Sequence, residues 1–176
     1  MLQRLIEHND RIPLSPYAVG SLLSSIVALT TRFSSEALTR FHSRAAPNIS
    51  VLDYLRRIVQ YTKAEVSRFS GSLACLLMPP LRLPPNPGTR QRWCLLITLH
   101  YIDQICERNP RFTITSLTCH RFVITSISIA SKTFCDSFCR NSVYAKVGGI
   151  STAELNVLER EFLSMIEWRL TVSLRS

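Results

Sequence analysis

Between Leu117 and Lys132 the chain is apolar or small at nearly every position, with His120 and Arg121 as the exceptions. A segment this long is predicted to be a helix rather than a strand, despite its β-branched residues, because strands seldom exceed ten residues. Thr115 or Ser116 is expected to open it and Phe134 to lie near its end. A helix that is hydrophobic most of the way round has no face to offer water. It has to sit at the centre of other elements.

Those other elements read as helices too. Ser50 and Asp53 fit a capping box, and Leu52, Leu55, Ile58 and Val59 follow as an apolar stripe to about Ala64. A second helix is expected from Trp93 to Arg108, with Leu95, Leu96, Leu99, Ile102 and Ile105 inward, ended by Asn109-Pro110. A short helix near Asn141–Val147 stops at Gly148-Gly149. Ser151 and Glu154 form another capping box, with Ile150 and Leu155 as its staple. That last helix places Leu155, Leu158, Phe162 and Ile166 inward and runs to Trp168.

Two stretches lie outside this set of five. Residues 1–48 are expected to be a helical extension. Ser15-Pro16 is its clearest helix start, and Leu22, Leu23, Ile26 and Val27 are the apolar positions that would pack on the rest. Residues 66–90 carry Pro79-Pro80, Pro84-Pro85 and Pro87-Gly88 and are expected to be a surface loop. Loop-closure entropy grows slowly with length, so residues 71–90 should be dispensable for folding. The domain from 49 to 171 is expected to be single, since too little chain follows Trp168 for a second bundle. The fold class is therefore all-α, a five-helix bundle around its third helix with a helical N-terminal extension.

Composition excludes several function classes. Apolar residues are 46% and charged residues 19%, which fits a packed domain rather than disorder. No apolar run reaches the roughly 18 residues of a membrane span, and no signal peptide is expected, so an intracellular setting in cytoplasm or nucleus follows. Six cysteines occur, none in a C-x-x-C pair, and buried thiols fit better than metal ligands. The net charge of +9 comes from scattered basic residues, without a basic block or interleaved aromatics. It suits an acidic partner and gives no nucleic-acid platform. There is no P-loop, nucleophile elbow or dinucleotide fingerprint, and the five glycines are too few for phosphate-cradling loops. Glu154, Glu159 and Glu161 share a helix, but carboxylates on a helix flank are ordinarily solvated or ion-paired. No catalytic site and no cofactor are expected.

The chain from Asn48 onward resembles the cyclin box. The blocks that carry the resemblance are Ile49 to Ile58, Tyr101-Ile102-Asp103, His120 to Ser126 with Ala130-Ser131-Lys132, and above all Asn141 to Ser151 continuing through Glu154 to Glu159. The last is similar to the phosphate-signalling (PHO-type) cyclins of yeast and the plant U- or P-type cyclins. Where the family has Tyr-Ile/Leu-Asp-Arg, this chain has Gln104 as the fourth residue, and the proline-rich stretch is an insertion between the first two helices.

The resemblance implies a non-catalytic subunit that binds a cyclin-dependent protein kinase and positions its mobile helix, so that the kinase Lys–Glu pair can form. Such kinases serve nutrient signalling or the cell cycle. The alternatives are a cyclin-fold protein that binds duplex DNA, or a scaffold without kinase activation. By resemblance, Lys132 and Glu159 match the lysine and glutamate of the kinase-facing surface. Their types suit backbone groups of a partner: an ammonium for carbonyl oxygens, a carboxylate for amide N–H groups. The competing reading is a helix–helix salt bridge alone. Also by resemblance, Arg57 (Arg56 as second choice) is expected to pair with Asp103 and tie the first helix to the second.

Overall fold

The computed structural model describes residues 39–66, 87–109, 112–135 and 138–170; at 63–66, 87–93 and Leu96 the backbone alone is described. The expected N-terminal helix with Leu22, Leu23, Ile26 and Val27, and the proline-rich stretch up to residue 86, lie outside these residues. The described elements are five helices and no strands: α1 Val51–Val66, α2 Pro87–Arg108, α3 Cys119–Phe134, α4 Asn141–Gly148 and α5 Thr152–Met165.

Helix α3 is the centre of the bundle. Twelve of its 16 residues are buried, and it packs against all four other helices. Its small polar residues are not all satisfied: Ser126 Oγ is buried without a partner among the described residues, whereas Thr125 turns back onto the helix. Thr125 Oγ1 donates to the Arg121 carbonyl at 2.7 Å. Its start differs from expectation. The Thr118 hydroxyl accepts from the Thr115 N–H (2.8 Å) and donates to the Thr113 carbonyl (3.1 Å), which holds 116–118 as a turn. The helix therefore begins at Cys119.

Around α3 the core is aromatic. Phe122 stacks on Phe162 at 5.3 Å between centroids, and on Phe41 and Phe112 at 5.5 Å each; Tyr101 meets Phe162 at 5.4 Å. Phe41 lies ahead of α1, yet it is fully buried. The packed unit thus reaches back to Phe41. Helix α2 begins six residues earlier than expected, at Pro87 rather than Trp93. Proline is well suited to a first helical turn, where its missing N–H has no intrahelical partner to lose and its φ is already helical.

The capping signals hold at two helices. At α1, Ser50 Oγ accepts from the Asp53 N–H at 3.1 Å. The Asp53 carboxyl takes the Ser50 hydroxyl and Arg56 (both 2.7 Å), which together hold it below the usual carboxylate range. At α5, Ser151 Oγ accepts from the Glu154 N–H at 3.0 Å. Between them, α4 ends in a Schellman motif: Ile150 N–H bonds the Ala145 carbonyl, Gly149 N–H the Lys146 carbonyl, and Gly149 sits at φ 71°.

Helix α5 stops at Met165, short of Trp168. Glu167 and Trp168 adopt left-handed backbone (φ 53° and 60°), and Trp168 is 68% exposed. Leu155, Leu158, Phe162 and Ile166 do face inward as expected. Arg108 from α2 closes this end, donating to the Ile166 carbonyl at 2.8 Å and pairing with Glu167 at 3.4 Å.

Two substitutions test the α4–α5 junction. Gly149→Ala puts a Cβ into the left-handed region, which costs about 1–2 kcal/mol. Ser151→Ala removes a cap worth about 1 kcal/mol. Each is expected to lower the urea midpoint without changing the slope of the transition.

Candidate functional site

Lys132 is in the last turn of α3, where the carbonyl end of the helix dipole favours a cation. Glu159 lies midway along α5. The structure brings them together: Lys132 Nζ is 2.6 Å from Glu159 Oε1. Their side chains are 29% and 12% exposed, so the pair is at the surface with its carboxylate mostly enclosed. Two further donors fix that carboxylate. Ser128 Oγ, one turn before Lys132, donates to Oε1 at 2.8 Å, and Asn141 Nδ2 at the start of α4 donates to Oε2 at 2.8 Å. Asn141 also reaches Asn156 Oδ1 at 2.7 Å. Three helices thus meet at one carboxylate.

Ser128 and Asn141 were not singled out from sequence. Ser128 could have been, since it sits four residues before Lys132 and shares its face. Asn141 had no such signal, because its role depends on how α4 is laid against α5.

The pair has bonding capacity to spare. An ammonium has three donors and a carboxylate about four acceptor positions. Among the described residues Lys132 uses one donor, and Glu159 uses three acceptor positions. Two N–H donors and one acceptor position are left at the surface.

The other expected pair does not form. Arg57 and Asp103 are both exposed, and among the described residues they are not ion-paired. Helix α1 turns Tyr54, Leu55 and Ile58 inward, and α2 turns Tyr101, Ile102 and Ile105 inward. Arg57 and Asp103 are therefore left on outer faces. The second choice, Arg56, is bonded to Asp53 within its own helix. Loss of water at the helix surface, with Glu107 one turn away, pushes the Asp103 carboxyl up. An arginine partner would have pushed it down.

Arg57 instead lines a cleft of about 300 Å³ with Ser43, Ile49, Tyr54, His120 and Gly149. His120 Nε2 lies 2.9 Å from the Ile49 carbonyl and so carries the proton there. Its Nδ1 is buried without a partner among the described residues. Beside the cleft, Arg121 donates to the His42 carbonyl and pairs with Glu154 at 2.5 Å. The Glu154 carboxylate thus serves α3 as well as sitting in its own helix's first turn. Among the described residues, no group of three His, Cys, Asp or Glu side chains could hold a metal ion, and no helix is long and apolar enough to cross a membrane.

A bundle of helices around one buried helix, with a charged pair at that helix's C-terminal end, is the frame in which the comparisons with known proteins fall. The cyclin family profile matches residues 87–170. The chain belongs to the cyclin family. Within it, the chain is 42% identical over 174 residues to the Nuc-1 negative regulatory protein preg of Neurospora crassa, covering 97% of this chain and 31% of that protein. It is 34% identical over 158 residues to the PHO85 cyclin PHO80 of Saccharomyces cerevisiae (86% and 45%). It is 33% identical over 149 residues to Cyclin-U1-1 of Arabidopsis thaliana (85% and 59%). The chain therefore spans about a third to three-fifths of the length of these relatives.

Two measurements follow from this geometry. Asp103→Ala should leave stability within about 1 kcal/mol of wild type in a urea titration, as for a surface charge without a partner. His120 gives a pH dependence. Burial pushes its imidazole down from the ordinary value, against the opposing effect of the Ile49 carbonyl, and this lowering favours the neutral form in the folded protein. As pH falls through the ordinary imidazole range, near 6.5, the unfolded chain takes up the proton first and stability falls. The melting temperature should drop more between about pH 7.5 and about pH 5.5 in the wild type than in His120→Gln.

Proposed function

We propose that this chain is the regulatory subunit of a cyclin-dependent protein kinase, and that Lys132 and Glu159 are the point at which it holds the kinase. The observation that carries this reading is the Lys132–Glu159 pair itself. It is rigidly held by Ser128 and Asn141, it is open on one side, and it has two donors and one acceptor position unused. Exposed backbone carbonyls and N–H groups at a helix end of a partner would complete that set. The name of the yeast relative, a cyclin of PHO85, points to the same class of partner. The chain acts by contact rather than by catalysis: it holds the kinase's regulatory helix so that the kinase Lys–Glu pair can form. A salt bridge with a merely structural role would leave partner binding untouched, so the two readings separate cleanly.

The test is co-purification and titration with the kinase, alongside a circular-dichroism melt for each variant. Lys132→Ala is the cleaner variant, because Lys132 is the more exposed member. Glu159→Ala also strands the donors of Ser128 and Asn141 and should cost more stability. Truncating one member of a buried interfacial charge pair costs about 2–5 kcal/mol, so affinity should fall at least about thirtyfold. Unimpaired binding by both folded variants would overturn the assignment, as would loss of binding explained by unfolding of both.

A further inference from the structure

Away from the Lys132–Glu159 network, two thiols meet between α2 and the end of α3. Cys94 Sγ is 3.8 Å from Cys135 Sγ and 3.6 Å from Ser131 Oγ, and neither cysteine is in a disulfide. We propose that Cys94 and Cys135 are a redox-sensitive dithiol that closes to a disulfide under a two-electron peroxide oxidant and reopens with a thiol reductant.

Three observations carry this. The first is reach. A disulfide needs sulfurs about 2.05 Å apart, so these two must approach by roughly 1.8 Å. Cys135 is the residue just past α3, with extended backbone (φ −114°, ψ 132°), so its side chain can swing without unwinding the helix. The second is access. Cys135 is half-buried and meets the oxidant first, while Cys94 is 3% exposed and waits beneath it. The third is contrast with two other thiols, Cys106 and Cys119. Contact with Cys135 holds the Cys94 thiol below its ordinary value, against the opposing effect of burial. Burial pushes Cys119 up to about 12 and also raises Cys106. Thiolate is the reactive form, so Cys94 is favoured over Cys106 and Cys119.

The chemistry balances. Cys135 gives up its thiol proton and attacks one peroxide oxygen, the O–O bond breaks, and water leaves with that proton, giving a sulfenic acid. The Cys94 thiolate then attacks the Cys135 sulfur, the S–O bond breaks, the S–S bond forms and a second water leaves. Two thiols and one hydrogen peroxide become one disulfide and two waters. The product ties α2 covalently to the end of α3. The proposal concerns the thiols alone and does not depend on what Lys132 binds.

The experiment treats the full chain with hydrogen peroxide under native conditions and maps the peptides by mass spectrometry without reduction. The first product should be a cross-linked peptide pair containing Cys94 and Cys135. Closing this loop should raise the melting temperature by roughly 5–10 °C, reversed by dithiothreitol. Cys94→Ser and Cys135→Ser should each abolish the cross-link and the rise. The wild-type peptide map stands on its own if a variant fails to fold. Sulfinic or sulfonic acid at Cys135 without a cross-link would overturn the proposal. So would a disulfide between other cysteines while Cys94 and Cys135 stay reduced.

Discussion

A helix with no water-facing side has to be enclosed, and the enclosure of α3 sets the rest of this bundle. Packing all four other helices on one core element leaves α3 no place for charge except near its ends. Its two charged contacts fall there: Arg121 in the first turn and Lys132 in the last. Both are answered from a single helix, α5, through Glu154 and Glu159. The two ends are not equivalent. The helix dipole favours Lys132 at the carbonyl end and disfavours Arg121 at the N–H end. Arg121 therefore depends on outside partners, the Glu154 carboxylate and the His42 carbonyl, whereas Lys132 is already well placed with one.

Much of this was legible in the chain because local chemistry agreed with global packing. The all-round apolar pattern of Leu117–Lys132 put one helix at the centre, and the capping serines Ser50 and Ser151 mark where their helices start. The glycine pair stops α4 because Gly149 can adopt φ 71°. Lys132 and Glu159, matched by resemblance, do come together.

What was not legible depends on long-range arrangement. Phe41 sits in a stretch with no periodic pattern, and its burial against Phe112 and Phe122 shows only in three dimensions. The Arg57–Asp103 pair required a particular roll of α1 against α2. The stripes Tyr54-Leu55-Ile58 and Tyr101-Ile102-Ile105 set that roll, and they turn both charges outward. The apolar stripe of α5 predicts a helix that runs on to Trp168. The helix has already ended there, and two left-handed residues point the indole to solvent.

The last turn of α3 shows how a buried helix can still present chemistry. Consecutive residues on a helix point about 100° apart, so neighbours in sequence address different neighbours in space. Ser131 faces α2 and touches Cys94; Lys132 faces α5 and meets Glu159. The Lys132 ammonium sits on a flexible stem that would carry roughly 2 kcal/mol of rotamer entropy if left loose. Glu159 removes much of that freedom in advance, because Ser128 and Asn141 hold the carboxylate from two other helices. A partner that binds Lys132 then loses little further freedom of this side chain, and preorganisation of that kind favours affinity. The same arrangement explains why the more enclosed residue is the glutamate. Its bonds tie α3, α4 and α5 together, and the lysine it holds keeps two N–H donors at the surface.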